Sequence, residues 1–259
     1  MCSSISFSMR KYLFGKDVQP IKDWFAGTFV PLMKYIYPKE PYLVKTKYGF
    51  KMYVRPEFNV GLSGNVWLTV RGHIEPFVTE LFLKHINKNS VCVDVGAYVG
   101  WFTLLFAKYG KHVYAFEPRK DTASILQRNV KINNFKNVEV IRRALSDKKG
   151  VFDFYIDENS GADSLFNENP RQMTAKVDRV KVTTLDSFFK KGTKIDIMKI
   201  DAENAEALIL KGAERLLKEN PNMIMTVEAN DIEHLNKIKE VMKGYKFTKL
   251  DGHNYLIKK

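Results

Sequence analysis

Residues 91–118 read VCVDVGAYVGWFTLLFAKYGKHVYAFEP, and this stretch decides the fold. The apolar run VCVDV predicts a buried strand, the segment from about Gly100 to Lys108 predicts a helix, and HVYAF predicts a second strand. A strand, a helix and another strand in this order are typical of a parallel sheet with helices on both faces.

The same alternation continues toward the C-terminus. Helices are predicted over residues 121–133, 205–217 and 232–242, and strands over 138–144, 195–200 and 223–228. Residues 151–156 and 178–183 are predicted as an inserted or edge pair of strands that flank a polar loop. The chain closes with two strands around Asp251-Gly252, a strong hairpin signal, so we expect the sheet to end in an antiparallel strand.

The first 80 residues are expected to form a cap or lead-in, and residues 81–259 the main domain. Residues 10–37 carry apolar residues at helical spacing, which predicts an N-terminal helix packed on the domain; the alternatives are a helix on a membrane surface or against a second subunit. Residues 42–56 predict a β-hairpin around Tyr48-Gly49, residues 66–70 another strand, and residues 75–86 a helix.

The composition is that of a globular protein with a basic surface. Of 259 residues, 45% are hydrophobic and 27% are charged, which excludes a fibrous or disordered chain. The formal net charge of +13 favours phosphorylated or otherwise anionic partners at low salt, without naming one.

Cysteine and histidine usage predicts neither disulfides nor a metal site. The two cysteines, Cys2 and Cys92, supply no disulfide framework, which fits a reducing compartment. The five histidines show no metal-ligand spacing, so we expect no metal requirement. No apolar run of about 18 residues and no secretory leader is visible, which favours a cytoplasmic protein, with membrane association through the N-terminal helix as an open alternative.

A ligand of an open α/β sheet lies beyond the carboxyl ends of its strands, and the first strand ends in a glycine turn. Gly96 and Gly100 allow a tight turn and close approach of a ligand to the backbone. Glu117 ends the second strand about 20 residues after Gly96, where an acid can accept hydrogen bonds from both ribose hydroxyls of an adenosine. Each signal is weak alone, because a plain turn and a solvated acid would look the same; together they indicate a nucleotide-type ligand.

These residues and the motifs after them carry a family resemblance. The ordered set is VDVGAYVGWFTLLFAKYGKHVYAFEP, LQRNVKINNFKNVEV, RRALSD, TLDSF, IMKIDAENAEALILKGAERLL and VEAN. It resembles the FkbM-type S-adenosylmethionine-dependent methyltransferases over roughly residues 73–230. The resemblance implies a Rossmann-like class I methyltransferase fold with a seven-stranded, mostly parallel sheet, and methyl transfer from S-adenosylmethionine, usually to a hydroxyl oxygen.

The resemblance also implies roles for particular residues. The implied cofactor-binding residues are Asp94, Gly96, Ala97, Tyr98, Gly100, Glu117 and Ala144. Ala144 falls where the adenine edge is met; many methyltransferases have an acid there, and the nearest acid here is Asp147. Where the family usually has Lys-Ile-Asp-Val-Glu-Gly-Ala-Glu, this chain has Asn204 in place of the glycine. Asn tolerates a left-handed backbone and is a good helix N-cap, so we expect the turn to survive with an altered acceptor pocket.

Methyl transfer to a hydroxyl needs donor and acceptor held in line, and a group that accepts the hydroxyl proton. The candidates are Asp201 first, then Glu203 and Glu228, all at or just after predicted strand ends. Glu203 could instead stabilise a helix N-terminus. His73 could close over the site or be a capping residue, and the loop 157–176 with Ser164 could recognise the acceptor or be a mobile connection.

The sequence leaves the acceptor open. Sugar, polyketide and lipid hydroxyls fit the resemblance best. RNA is the alternative suggested by the net charge and by the clusters Arg142-Arg143, Lys148-Lys149 and Lys190-Lys191, although no RNA-binding module is recognisable. A domain that binds the cofactor without turnover is a further alternative, which Asn204 favours. The oligomeric state is not predicted.

Overall fold

The computed structural model describes residues 40–54, 72, 74–156, 163–165 and 176–259. Its strands are β1 (Tyr42–Lys45), β2 (Lys51–Val54), β3 (Val91–Val95), β4 (His112–Phe116), β5 (Val138–Ile141), β6 (Ala144–Leu145), β7 (Gly150–Ile156), β8 (Lys176–Thr183), β9 (Ile197–Ile200), β10 (Ile224–Glu228), β11 (Lys246–Lys249) and β12 (Asn254–Lys258). Its helices are α1 (Pro76–His85), α2 (Trp101–Tyr109), α3 (Lys120–Ile132), α4 (Leu185–Phe188), α5 (Glu206–Lys211), α6 (Glu214–Glu219) and α7 (Ile232–Val241).

A seven-stranded sheet forms the centre, in the order β5-β4-β3-β9-β10-β12-β11. Neighbouring strands from β5 to β10 are parallel, whereas β12 runs antiparallel to both β10 and β11. The Asp251-Gly252 turn therefore makes the hairpin that the sequence predicts. The α/β class, the mostly parallel sheet and its antiparallel last strand are confirmed.

The inserted pair of strands is confirmed as part of a second, three-stranded sheet in the order β6-β8-β7. The strand predicted over residues 138–144 is too long, because it ends at Ile141. The Arg143 N–H donates to the Ile141 carbonyl at 2.9 Å, which turns the chain out of the central sheet. Ala144 then opens β6 and pairs with β8.

The single helix predicted over residues 205–217 is also wrong, since α5 and α6 are separate helices. Gly212 lies between them, where an added Cβ would be 2.2 Å from the Ser146 carbonyl oxygen. The Asp186 carboxylate then accepts from the N–H groups of Arg215 and Leu216, both at 2.9 Å. A distant carboxylate thus caps the start of α6, which periodicity in the local sequence cannot show.

The β1–β2 hairpin is confirmed and packs on α3. Asn129 and Asn133 accept hydrogen bonds from the N–H groups of Tyr53 and Lys51, at 2.6 and 2.9 Å. The hairpin also contributes Phe50 to a buried cluster shared with α1 and α2. The predicted helix at 10–37 and strand at 66–70 lie outside the described residues, and the domain boundary at residue 80 stays a prediction.

The core lies on both faces of the central sheet. One buried cluster includes Met198, Leu210 and Ile238, and the other includes Phe82 and Phe106. Within the part of the chain that the structure describes, no helix combines the length and apolarity needed to cross a membrane.

Candidate active site

A pocket of about 840 Å³ opens beyond the carboxyl ends of β3, β4, β9 and β10. Asp94 and the loop after it line one side, and Glu117, Asp201 and Glu228 each stand at or just after the end of a strand in the pocket wall. This is the position at which open α/β sheets bind ligands. The structure therefore brings together side chains that lie far apart in the sequence.

The loop after β3 is held by backbone contacts. The N–H groups of Gly96 and Ala97 both donate to the Phe116 carbonyl, at 3.1 and 3.0 Å, and Tyr98 has a φ of 51°. Gly96 has a φ of 74°, and a Cβ there would be 1.6 Å from the Asp201 carbonyl oxygen. Only glycine fits at this position, because any side chain would collide with the loop after β9. The sequence did not reveal this reason.

Gly100 is required for a similar reason. Its φ is 100°, and a Cβ would be 2.3 Å from the Leu126 side chain of α3. Its N–H donates to the Ala97 carbonyl at 2.8 Å, which closes the turn before α2 begins. Both glycines therefore set the shape of the pocket wall.

Glu117 is fixed by backbone donors on both oxygens. Its Oε2 accepts from the Tyr98 N–H at 2.9 Å, and its Oε1 accepts from the Arg119 N–H at 3.0 Å. Burial raises the pKa of Glu117 to about 7, against the lowering effect of these two hydrogen bonds. A carboxylate has about four acceptor positions, so two remain for a ligand in the pocket.

Ala144 lies in the pocket wall, whereas Asp147 is engaged elsewhere. An oxygen of Asp147 is 3.3 Å from Lys211 Nζ of α5. The acid nearest to Ala144 in the sequence is thus held in an ion pair, and Ala144 and Leu145 contribute apolar side chains to the pocket wall.

Lys199 lies at the centre of the acidic end of the pocket. Its Nζ is 2.6 Å from Asp201 Oδ2 and 4.9 Å from the centre of the Phe102 ring. Burial lowers the pKa of Lys199, but the charges of Asp201, Glu75 and Glu228 outweigh burial and raise it. Lys199 is therefore protonated and is the positive charge around which these acids gather.

The pKa values of Asp94 and Asp201 shift in opposite directions although the Lys199 charge lowers both. Burial raises the pKa of Asp94, whose Oδ2 accepts from Thr103 Oγ1 at 2.5 Å. Burial opposes the ionisation of Asp201 too, but the Lys199 charge and a hydrogen bond from Glu228 hold the pKa of Asp201 below its usual value. Asp201 therefore stays ionised at neutral pH and is a weak base.

The negative charge of Asp201 also acts on the other two predicted catalytic acids, Glu228 and Glu203. The negative charge of Asp201, then burial, raises the pKa of Glu228, and the two carboxyl groups share a hydrogen bond. Burial, then the Asp201 charge, raises the pKa of Glu203 to about 8. Of the three predicted catalytic acids, Glu203 is the one with a pKa suited to exchanging a proton near neutral pH.

Asn204 occupies a left-handed turn, as its replacement of a glycine suggested. Its φ is 77° and that of Glu203 is 49°. Asn204 is not the helix N-cap that the sequence also allowed, because Ala205 holds that position. The first turn of α5 is instead held by Glu206, whose Oε1 accepts from the Ala202 N–H at 2.6 Å and whose Oε2 is 2.8 Å from His234 Nε2.

A short segment, residues 163–165, spans the pocket and is part of the loop expected to recognise an acceptor. Asp163 pairs with Arg119 Nη1 at 3.0 Å, and Ser164 Oγ donates to the Glu203 carbonyl at 2.7 Å. The segment therefore joins the loop after β4 to the loop after β9. Its role in acceptor recognition stays a prediction, and His73 lies outside the described residues.

Several pocket residues were not predicted as site residues, among them the charged residues Glu75, Lys199 and Arg143. Lys199 carried a signal, since a charged residue inside a buried strand is rarely found without a partner. Glu75 directly precedes a proline at a helix start, but nothing in the sequence places it beside the end of β9.

The sheet order, the glycine turn after β3 and the acid after β4 define a Rossmann-like methyltransferase fold. Residues 94–248, more than half of the chain, match the sequence model of the methyltransferase FkbM domain. The chain therefore belongs to this family.

Two curated proteins are similar to parts of the chain. The tRNA(Phe) (4-demethylwyosine(37)-C(7)) aminocarboxypropyltransferase of Methanocaldococcus jannaschii is 33% identical over 129 residues, which cover 49% of this chain and 47% of that protein. Methyltransferase 1 of Beauveria bassiana is 27% identical over 163 residues, covering 54% of this chain and 65% of that protein. The chain thus spans less than two thirds of the length of either relative.

A solved FkbM methyltransferase from Methylobacillus flagellatus is 17% identical, with a TM-score of 0.45, and the match covers 69% of this chain and 50% of that one. The 16S rRNA N2 G1207 methyltransferase of T. thermophilus is 13% identical, with a TM-score of 0.49, and the match covers 85% of this chain and 50% of that one. Since both scores are below 0.5, the fold assignment rests on the sheet order of this chain and on the family match.

Proposed function

We propose that this chain transfers a methyl group from S-adenosylmethionine to a hydroxyl oxygen of an uncharged acceptor, such as a sugar, a polyketide or a lipid hydroxyl. The observation that carries the proposal is the pocket itself: one end offers Glu117 with spare acceptor positions, and the other gathers Asp201, Glu203 and Glu228 around a buried lysine. When bound, S-adenosylmethionine supplies an electrophilic methyl group on a positively charged sulfur.

The pocket fits this donor in shape and charge. Eight acidic residues and two basic ones, Arg143 and Lys199, are among the described residues that line it. A surplus of carboxyl groups favours a ligand that carries net positive charge, as a sulfonium with an ammonium group does. Glu117 would hold the ribose hydroxyls, and Asp94 with the loop from Gly96 to Tyr98 would face the methionine portion.

We assign the proton transfer to Glu203. A hydroxyl acceptor has to lose its proton as its oxygen takes the methyl group, and a base with a pKa near the working pH does this best. Glu203 meets that condition, whereas Lys199 stabilises the charge of Asp201 and thereby weakens it as a base. Asp201 would position the acceptor through a hydrogen bond, and protonated Glu228 would keep Asp201 in place.

The same charge balance favours an uncharged acceptor over a phosphodiester inside the pocket. A phosphate beside several carboxylates would meet like charge in a partly buried site. RNA is the second candidate, because the chain has a net charge of +13 and is similar to a tRNA-modifying enzyme. An RNA acceptor would need its phosphates on basic surface outside the pocket and an extruded nucleoside within it.

Methyl transfer can be tested without knowing the acceptor. Purified chain is incubated with S-adenosylmethionine that carries an isotopically labelled methyl group and with fractionated cell extract, one half treated with ribonuclease. The proposal expects label in a ribonuclease-resistant small molecule, glycan or lipid. Label lost with ribonuclease would support the RNA alternative, and binding of the donor without any labelled product would support a domain without turnover.

Two variants test the assigned roles once a labelled product is found. Glu203→Gln should lower turnover by about 100-fold or more at unchanged donor affinity, the usual size of a general-base contribution. Asp201→Asn should also reduce turnover more than donor affinity. An equal loss of turnover and donor affinity in either variant would reassign that residue to donor binding.

A further inference from the structure

Glu75 lies before residues 94–248, the part that matches the family's sequence model, yet it lines the pocket. It precedes Pro76 at the start of α1, with φ and ψ of 41° and 67°. A residue before proline is normally extended, and a left-handed conformation at a residue with a Cβ costs on the order of 1 kcal/mol or more. The packing around α1 therefore imposes a strained conformation that holds this carboxyl group at the pocket.

One oxygen of the Glu75 carboxyl group lacks a hydrogen-bond partner among the residues that the structure describes. Its Oε2 atom is buried, and none of the described residues gives it a hydrogen bond. A buried carboxylate oxygen without a donor is costly, so such an atom indicates a missing ligand group. An ionised carboxylate only accepts hydrogen bonds, so a donor group on a ligand would satisfy this oxygen.

The charges around Glu75 indicate that this donor is a cation. Burial raises the pKa of Glu75 to about 7, and among its charged neighbours Lys199 opposes three acids: Asp201, Asp251 and Asp94. Lys199 is already paired with Asp201 at 2.6 Å. A further positive charge would reduce the excess of acids at this end of the pocket.

Glu117 and Glu75 are surrounded by different charged residues. The charged neighbours of Glu117 are Asp163 and Arg119, and neither is a neighbour of Glu75. Glu75 shares with Asp94 the end formed by β3 and β9. S-adenosylmethionine with its ribose hydroxyls at Glu117 would therefore extend its charged methionine portion toward Glu75.

We propose that Glu75 binds the α-ammonium group of the donor's methionine portion through its otherwise unpartnered Oε2. This assignment rests on the proposed function, because it requires S-adenosylmethionine as the ligand. It makes Glu75 a residue that distinguishes a complete donor from an adenosine thioether without the amino acid.

The test is a binding cycle that needs no acceptor and no turnover. Calorimetry measures three ligands: S-adenosylhomocysteine, its analogue with hydrogen in place of the amino group, and 5′-methylthioadenosine. The proteins are the native chain, Glu75→Gln, and Glu80→Gln as the control. Glu80 is an exposed acid of the same helix, so its variant makes the same charge change away from the pocket.

Glu75→Gln should bind S-adenosylhomocysteine about 10- to 100-fold more weakly, the size expected for a lost charge-assisted hydrogen bond, and 5′-methylthioadenosine within about twofold of the native value. Removal of the ligand's amino group should weaken binding to the native chain but have little effect in the variant. Glu75→Asp, which keeps the charge and tolerates a left-handed backbone, should be intermediate. Glu80→Gln should match the native chain.

An unchanged affinity for S-adenosylhomocysteine in Glu75→Gln, or an equal loss for all three ligands, would overturn the assignment of Glu75 while leaving the proposed function standing. If S-adenosylhomocysteine does not bind the native chain at all, the proposed function fails and the assignment fails with it. Thermal unfolding of each variant separates a binding loss from a folding defect.

Discussion

Replacement of Glu117 by Gln should weaken S-adenosylhomocysteine binding by about 1 to 3 kcal/mol, or about 5- to 150-fold in Kd. The magnitude follows from the geometry. The Tyr98 and Arg119 N–H groups occupy one acceptor position on each oxygen, which leaves one position on each for a ribose hydroxyl. Gln keeps one of these oxygens and loses the charge. Its NH₂ group would also face a backbone N–H donor.

The effect should depend on pH, because burial raises the pKa of Glu117 to about 7. At pH 8 the native carboxylate is ionised and the difference between the native chain and Glu117→Gln should be complete. At pH 6 it is mostly protonated, so the difference should shrink. Calorimetry at both pH values provides the measurement, with Glu139→Gln, an exposed acid of β5, as the control.

A folded Glu117→Gln variant that binds S-adenosylhomocysteine as tightly as the native chain at pH 8 would refute the ribose role. A loss of equal size at pH 6 and pH 8 would refute the argument from the carboxylate charge. Glu117→Ala is a less clean test, because it also leaves two backbone N–H groups without their acceptor.

Three further predictions concern stability. Gly96→Ala should abolish folding or cost more than about 3 kcal/mol by denaturant unfolding, since its Cβ would lie 1.6 Å from the Asp201 carbonyl oxygen; a native-like midpoint would contradict this packing. Asn204 has a φ of 77°, so Asn204→Ala should lower the free energy of unfolding by about 1 kcal/mol, whereas Asn204→Gly should change it little. Equal effects of the two substitutions would argue against a strained turn. Burial raises the pKa of both Glu75 and Glu117 from 4.5 to about 7. Their protonated forms therefore stabilise the ligand-free folded chain. This contribution is complete below pH 4.5 and is lost as the pH rises through 7. The melting temperature should therefore fall between pH 5 and pH 8, and less in Glu117→Gln; a rising melting temperature would contradict the pKa values.

Local patterns in the sequence were enough to predict the alternating strands and helices and the terminal hairpin. The glycine turn and Glu117 could be found because their spacing reflects one β-α-β unit. The break between α5 and α6 could not, since it depends on the Asp186 carboxylate, which comes from a separate segment.

The chemistry of the acids could not be predicted from their positions alone. Asp201, Glu203 and Glu228 all lie at or just after strand ends. Lys199 nevertheless keeps the first ionised, whereas burial and the Asp201 charge together raise the pKa of the other two. These differences depend on distances across the sheet. Glu75 was missed for the same reason, because α1 reaches the pocket only through tertiary packing.

The most direct measurement is a crystal structure of the chain grown with saturating S-adenosylhomocysteine. We expect ligand density in the pocket beyond β3, β4 and β9, with both ribose hydroxyls within hydrogen-bond distance of the Glu117 carboxylate. Density that places the ribose away from Glu117, or an empty pocket under these conditions, would contradict this expectation.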